Sequence, residues 1–537
     1  MKNVTELLRE GKKKEIWKQY CGFLHYSMDE YMAMQKELLI EQLEKLNSCE
    51  LGRTVMQGAK PASVEAFRKE IPFTTYRNYA DFLLEKREDV LPEKPFYWVH
   101  TSGRSGEYEF KWIPYPKKLY ELGGANAMSC MILASCKGPG KLNLKEGMSF
   151  LYTIAPPPYI SGLFTESLID QFNFSVYPPP ERAKEMEFQE RIMEAFKSAL
   201  AEGLDFFYGV TSILLKISDQ FSKGGGEMGK ESKELLKNPK VLMRLFKALL
   251  KSKLSGRKLL PKDIWKVRGA VCGGMDTGLF KEKVEASWGI VPLEAYGSTE
   301  FGISATQAWN CESLNFFPNA TFWEFMPEAE YQKWKDDESY FPRTHLMNEV
   351  EADTNYVLVG TNFHGGALVR YVLGDLIKVI TTSDKKTGIE LPQAVFEARI
   401  DDVIDIGGFT RLTEKRIWEA IENSGIEYTD WTVKKEHRGE EPLLNLYIEF
   451  QNSHENSAET AEKIHESLKN LDEPYRELEK ITGLKPLRVT PLEKGTFRRY
   501  FEERQAAGAD LAHLKPPHIN PGEEVIKKIL RMSNWKL

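Results

Sequence analysis

No apolar run in this 537-residue chain approaches the ~20 residues that a membrane-spanning helix needs. The opening stretch, MKNVTELLREGKKKEIWKQY, carries charges with no apolar core behind them. That pattern does not fit a secretory signal and leaves the cytosol as the expected compartment, with the stretch itself read as an amphipathic helix. Cysteine is sparse: Cys21, Cys49, Cys130, Cys136, Cys272 and Cys311 contain no CxxC spacing. A zinc ribbon or a thioredoxin-type centre is therefore not expected, and buried reduced thiols are. The nine histidines form no HExxH, which speaks against a dedicated transition-metal site. There is no GxxxxGK[ST] phosphate loop and no internal repeat. Net charge is −6, so nothing pulls the whole chain toward nucleic acid.

One stretch departs from that balance. From Lys223 to Arg268, lysine and arginine outnumber acids by ten. Such a run is either a patch for an anionic partner or a solvated helical face between linkers. It lacks the interleaved aromatics of a single-strand binder, and the solvated face is the reading adopted.

What is present is an α/β pattern of a length that suits one large domain and one small one. The first hundred residues read as mostly helical, with LLIEQLEKL and SVEAFRKEIP at helical spacing. Short buried strands then alternate with helices: MSFLYTIA (148–155), DFFYGVT (205–211), VRGAVCGGM near Val267 and IVPLEAYGSTE from Ile290. YVLVGTNFHGGALVRYVLGDLIKVI (356–380) places two strands around a Gly-Gly turn, as in an antiparallel hairpin or a small barrel. Beyond about residue 400 the order becomes helix (414–423), strand (431–437), strand (443–451), helix (457–470) and strand (487–491), a compact α+β unit. The expected domains are 1–400 and 401–537, with the boundary near Ile400 to Gly408.

Four segments carry residue types suited to nucleotide chemistry. In HTSGRSGEYEFKW, Thr101, Ser102, Gly103, Ser105 and Gly106 crowd hydroxyls and glycines after the strand FYWVH. Glycines let backbone N–H groups turn toward an anion and hydroxyls add donors, although an ordinary turn has the same composition. In AYGSTEFG, Tyr296 ends a strand where it can stack on a flat base, Thr299 can donate to phosphate and Glu300 can hold Mg²⁺. In VRYVLGD, Asp375 follows a glycine where a carboxylate can accept ribose hydroxyls. In FEARIDDVIDIGGF, Arg399, Asp401 and Asp402 precede Gly407 and Gly408, a composition that suits a hinge or a polar linker.

The series TSG, YGSTE, YVLGD and R-I-DD, in this order, resembles the acyl-adenylate-forming superfamily. Within it the chain is most similar to the auxin-responsive-promoter family of acyl-acid amido synthetases. IPFTTYRNYADFL, FPNATFWEFMP and PLEKGTFRRYFEERQAAGADLAHLKPPHINP strengthen the likeness, which runs roughly from Glu50 to Pro521. It implies a large N-terminal α/β domain with parallel sheets and a small barrel-like part. A smaller, mobile α+β domain would follow it.

The resemblance also implies ATP and Mg²⁺ as cofactors. Thr101, Ser102, Gly103, Ser105 and Lys111 would face phosphate, and Tyr296 the adenine. Gly297, Ser298 and Thr299 would line the nucleotide, with Glu300 on the metal. Asp375 and Arg399 would hold the ribose, and Asp401 would be the hinge. Lys494 or Lys515 would be brought in against the transferring phosphate. The sequence departs from the family pattern in the loop, where Arg104 replaces a hydroxyl residue and Tyr108-Glu109-Phe110 lengthen it. The implied partners are a small carboxylic acid and an amine or amino acid, with no membrane and no nucleic acid. An apolar acid pocket is expected between the YGSTE turn and 153–168. Two other readings stay open: an acyl-CoA ligase sharing the adenylate step, and a nucleotide binder without catalysis.

Overall fold

The computed structural model describes residues 2–101, 110–222, 238–273, 276–400, 403–406, 410–438, 441–451, 456–482, 485–506 and 517–533. The chain divides into two compact units, Met1–Phe396 and Glu397–Leu537.

The first unit begins with two short helices, Val4–Arg9 and Lys13–Cys21, where one amphipathic helix was expected. Gly11, at φ +73°, breaks the run, because that left-handed conformation cannot continue a right-handed helix. The long helix Met28–Ser48 starts at a capping box in which Ser27 and Glu30 satisfy each other's backbone N–H groups. Its buried side includes two amides. Gln35 donates to the carbonyls of Pro318 (2.6 Å) and Thr321 (2.9 Å), and Gln42 donates to that of Gly366 (2.8 Å). Burying an amide in this way is tolerable only because each one is bonded.

Among the described residues, eleven strands form one sheet in the order β10-β11-β12-β13-β9-β8-β7-β6-β5-β3-β4. One limb is parallel and comprises β3 (Ser149–Tyr152), β4 (Ser175–Tyr177), β5 (Phe206–Val210), β6 (Gly269–Gly273) and β7 (Leu293–Ser298). Its central strands are apolar on both faces, as helix-covered parallel strands must be. The other limb holds β8 (Gly302–Gln307), β9 (Leu314–Phe316), β10 (Thr321–Pro327), β11 (Thr354–Asn362), β12 (Tyr371–Thr381) and β13 (Gln393–Arg399). Its β7–β8, β8–β9, β9–β13, β10–β11 and β11–β12 pairings are antiparallel. The hairpin read around Gly365-Gly366 is the β11–β12 pair, and the part expected to be barrel-like is this limb, continuous with the parallel one through β7. Outside the sheet, β1 (Tyr97–His100) and β2 (Trp112–Tyr115) make a separate antiparallel hairpin.

The start of β12 is clamped by the segment IPFTTYRNYADFL. Thr74 exchanges backbone hydrogen bonds with Arg370 (3.0 Å) and Val372 (2.9 Å), and the Val369 N–H donates to the Tyr79 hydroxyl (2.8 Å). Arg370 itself is buried. Its guanidinium grips Glu324 on β10 through two bonds of 2.8 and 2.9 Å, donates to the carbonyls of Ile71 and Arg68, and lies 3.9 Å over the Phe73 ring.

In the second unit, β14 (Val403–Ile406) pairs with β15 (Thr410–Thr413). β16 (Tyr428–Arg438) and β17 (Glu441–Phe450) run antiparallel, and β18 (Leu487–Leu492) joins β17 in parallel. Helices Glu414–Asn423 and Ser457–Leu471 cover this sheet over a core that includes Trp431, Leu446, Ile464 and Leu468. The five elements expected from the pattern are present, each end within three residues, while the β14–β15 hairpin and the helices Glu473–Thr482, Thr496–Ala506 and Glu523–Met532 were not among them. No helix among the described residues is long and apolar enough to cross a membrane. Cysteines 21, 49, 130, 136 and 272 are buried, Cys311 is half-buried, and none of the six is in a disulfide.

Candidate active site

Three of the four sequence motifs fall in the first unit, and the fourth begins at its last residue, Phe396. The Ser/Gly segment is the connection of the β1–β2 hairpin. Its mouth is closed by the Thr101 N–H on the Lys111 carbonyl (3.1 Å) and the Lys111 N–H on the Thr101 hydroxyl (3.2 Å). Ser102, Gly103, Arg104 and Ser105 lie outside the described residues. At the foot of the hairpin His100 is buried among Phe110, Trp112 and Tyr159, with Nδ1 2.8 Å from the Thr101 carbonyl oxygen. Burial pulls its pKa below the ordinary 6.5, which favours the neutral imidazole. Lys111 Nζ sits 5.6 Å from the centre of the Tyr76 ring, and Lys86 Nζ sits 3.2 Å from that of Trp112. Cation–π contact of this kind holds lysine stems while their charge stays available to an anion.

The second motif is a strand end followed by a turn. At Tyr296/Gly297 the β7–β8 register slips, since Tyr296 faces Ala305 while Gly297 faces Ile303. A Cβ on Gly297 would lie 2.5 Å from the Gly302 carbonyl oxygen, so only glycine fits there. Ser298 Oγ accepts from the Phe301 N–H (3.1 Å) and turns the chain back. The Thr299 carbonyl accepts from the Tyr115 hydroxyl (2.9 Å), and that of Glu300 accepts from the Asn362 amide (3.1 Å). Glu300 is itself buried. Burial first, and then the Glu300 charge, push the Tyr115 phenol well above its usual range, so Tyr115 remains a donor.

The third motif is a bulge. Between the pairs Val359↔Val372 and Val357↔Leu376, β12 carries three residues opposite one on β11. Gly374, at φ +79°, makes that turn possible. The bulge aims Asp375 at β7, where the Tyr296 hydroxyl donates to Asp375 Oδ2 over 2.6 Å. Both side chains are buried, and the Tyr296 ring stacks on Phe396 with centroids 5.9 Å apart. Residues 79 apart in sequence are thus brought into direct contact.

A narrow crevice opens beside the turn, lined by Tyr115, Gly123, Phe164, Phe301, Gly302 and Asn362 among others. It lies between the YGSTE turn and the helix Ile160–Gln171 and its walls are mostly apolar, but its volume of about 10 Å³ is that of a single water, too small for the acid expected between the turn and 153–168.

Arg399, the last residue of β13, is exposed and belongs to the second unit. Asp401 and Lys515 lie outside the described residues. Lys494 is exposed in the turn between β18 and the helix Thr496–Ala506. That turn is seated by Glu449, a buried carboxylate on β17 that accepts from the Gly495 N–H (2.7 Å) and the Phe497 N–H (2.9 Å). The carboxylate therefore caps the positive end of the helix.

Sequence reasoning missed His100, Tyr115, Asn362 and Glu449. The first two had a signal: the aromatic runs FYWVH and KWIPY flank the Ser/Gly segment at hairpin spacing. The other two had none, because their roles depend on contacts across the fold. One trio of described residues, His465, Glu466 and Glu479, has ligand atoms close enough for a metal. Lys469 already bridges both of its carboxylates at 2.8 and 2.7 Å and offsets part of their charge.

The GH3 family N-terminal, central and C-terminal domains match residues 22–178, 314–393 and 413–524, together more than half of the chain. A jasmonoyl–L-amino acid synthetase of Oryza sativa subsp. japonica, GH3.5, is 26% identical over 290 residues. That match takes in 49% of this chain and spans about half (47%) of the length of that curated relative. Among solved structures, the GH3.15 acyl acid amido synthetase superposes with a TM-score of 0.67 at 17% identity, over 93% of each chain. A 2-hydroxyisobutyryl-CoA ligase superposes with a TM-score of 0.54 at 12% identity, over 94% of each. At these identities the structures speak for the fold, and the three domain matches, in order along the chain, speak for the family. The chain belongs to the GH3 family.

Proposed function

We propose that this chain uses ATP to adenylate a small carboxylic acid and then transfers the acyl group to an amine or amino acid, releasing pyrophosphate and AMP. The observation that carries the reading is the contact between Tyr296 and Asp375, which joins the YGSTE and YVLGD motifs in one buried place. The relatives named as jasmonoyl-amino acid and acyl acid amido synthetases support the amide-forming direction.

A carboxylate is a poor electrophile, because its charge repels nucleophiles and oxide does not leave. Attack of a carboxylate oxygen on the α-phosphorus of ATP forms a new P–O bond while the P–O bond to pyrophosphate breaks. The amine nitrogen then attacks the acyl carbon, the C–O bond to AMP breaks, and the amine proton passes to solvent. The protein's task is positioning and relief of the charge moving onto pyrophosphate. Tyr296 would present its ring to adenine while its hydroxyl orients Asp375 toward the ribose. Thr101, Lys111 and the Ser102, Gly103 and Ser105 segment would face the phosphates, with Gly297, Ser298 and Thr299 completing the wall. Lys494 or Lys515 would approach from the second unit, with Asp401 as the hinge and Arg399 on the ribose. Among the described residues, Glu300 offers the one carboxylate of the YGSTE turn beside two hydroxyls. This hard oxygen set fits Mg²⁺, which keeps several waters and takes the rest of its ligands from substrate phosphate. Such an ion would supply charge neutralisation at the phosphates. The prolines and aromatics of TIAPPPYISGLFTESL (153–168) favour an aromatic or aliphatic acid.

The test is acid-dependent pyrophosphate release from Mg-ATP across a panel of aromatic and aliphatic acids, with hydroxylamine as trap. Release with one group of acids, lost in Glu300→Ala, is expected. Full release in that variant removes Glu300 from the metal role, and binding of ATP without release for any acid leaves a non-catalytic nucleotide binder. Thioester formation when CoA replaces the amino acids would move the chain to the acyl-CoA ligase reaction.

A further inference from the structure

The basic stretch read from the sequence as a solvated face carries an apolar one beside it. Its helix, Pro239–Leu254, packs through Val241, Ala248 and Ser252, which are buried. Arg244 pins it by donating to the carbonyls of Ala199 (2.9 Å) and Leu200. The opposite face is apolar and exposed. Leu242, Met243, Phe246, Leu249, Leu250 and Leu254 lie there, with Phe246 67% and Leu254 80% accessible. These are six of the eleven large exposed apolar side chains among the described residues. At 100° per residue they span roughly 140° of the helix surface, pointing away from the buried side.

The charges are as one-sided as the apolar groups. The helix carries Lys240, Arg244, Lys247, Lys251 and Lys253 and no carboxylate. On the helical wheel the first four line one flank of the apolar stripe, and Lys253 stands within it. Exposed leucine and phenylalanine on a helix already anchored by its other side add nothing to the core, and they cost solubility. Cations beside them name the complement, an extended apolar surface with anionic groups at its rim. A second copy of this face would set lysine against lysine, and that repulsion disfavours self-association.

We propose that this helix is a membrane-surface docking element that lies in the headgroup region of a bilayer containing anionic phospholipid. Lys240 is paired with Glu202 (3.2 Å) and Lys251 with Asp263 (3.4 Å), so the apolar stripe would enter the acyl boundary while Lys247 and Lys253 pair with headgroup phosphates. The sequence showed the basicity but not which side packs inward, so a bilayer was not among the expected partners.

The experiment is flotation of the full-length protein with vesicles of phosphatidylcholine alone or of phosphatidylcholine with phosphatidylglycerol. Three variants accompany it: the double substitution Phe246→Ser/Leu250→Ser, Lys247→Gln, and Phe246→Trp. Flotation with the anionic vesicles only, weakened by salt, is expected. The double variant should lose it, and Lys247→Gln should bind about fivefold more weakly. The Phe246→Trp emission should shift to the blue when anionic vesicles are added. Unchanged thermal unfolding and pyrophosphate release in the double variant would show that only surface contact was lost. No flotation with either vesicle, equal flotation with both, or flotation unaffected by the double substitution overturns the proposal. A concentration-dependent dimer abolished by the double substitution, without flotation, would make the face an interface between copies and overturns it too.

Discussion

The Tyr296 hydroxyl donates to Asp375 Oδ2 over 2.6 Å, and both partners stand at irregularities of their strands. The β7 slip at Gly297 and the β12 bulge at Gly374 give up ladder hydrogen bonds so that two side chains can meet. Bulges re-aim side chains in this manner next to functional sites. Tyr296→Phe keeps the ring and removes the bond. We expect it to cost about 2 kcal/mol in urea unfolding, as loss of a bond to a charged group does. In steady-state assays the KM for ATP should rise about tenfold while kcat changes less. An unchanged KM would separate Asp375 orientation from nucleotide binding.

The Arg370–Glu324 pair locks the start of β12 to β10, and each side chain is 1% exposed. Breaking a buried pair leaves one charge without its partner. Glu324→Leu should therefore destabilise by about 3–5 kcal/mol. The double substitution Glu324→Leu/Arg370→Met should recover a large part of that loss. Guanidinium unfolding of the wild type, both singles and the double variant measures the coupling. Additive losses would show that the pair is not coupled.

His518 lies between two carboxylates, with Nδ1 2.6 Å from Glu414 and Nε2 2.9 Å from Asp430, and it stacks on Trp431 at 4.2 Å. Burial alone would depress its pKa. The Glu414 charge and the bonds to both carboxylates outweigh burial and raise it to about 9 from an ordinary 6.5. A raised folded-state pKa contributes stability that is complete below about 6.5 and is lost as pH climbs through 9. The loss amounts to about 3 kcal/mol. Denaturation of the full chain between these limits, followed by tryptophan emission, should show it. His518→Gln should be less stable at low pH and flat across the same window. A wild type that is flat there would rule out the charged imidazole.

Lys494 is presented on a turn that Glu449 holds in place. If it neutralises charge in the adenylation step, Lys494→Ala should lower kcat about a hundredfold with little effect on stability. Glu449→Ala should lower both stability and kcat, and Glu449→Gln should restore part of kcat because its amide oxygen can still accept one bond. A purely structural Glu449 would change unfolding and leave kcat alone. An unaffected kcat in Lys494→Ala would pass the role to Lys515.

Much of the element order was legible. Strands of the parallel limb are short, apolar and bounded by glycine or helix, because both of their faces are covered, and the helix at 414–423 and the strand at 487–492 appear where the apolar pattern changes period. The single N-terminal helix was misread because apolar spacing continues across Gly11, and spacing carries no information about the backbone sign of φ there. The apolar face of the basic segment went unread for a related reason. Composition gives its charge, but only the packing of Val241, Ala248 and Ser252 decides which side of the helix faces out.

The sequence by itself determined most of the strands and many of the helices, the α/β character of the first unit and the α+β character of the second, and the residue types at each motif. Local periodicity and turn chemistry suffice for that, since they act between residues a few positions apart. The tertiary structure alone decided that Tyr296 meets Asp375, that Gln35 and Gln42 reach across some three hundred residues to Pro318, Thr321 and Gly366, and that Glu449 seats the turn bearing Lys494. Each of these is a buried polar group satisfied by a partner distant in the chain. Leaving such a group unbonded costs more than the bond itself gains, so the partner is imposed by burial, and burial is a property of the whole fold.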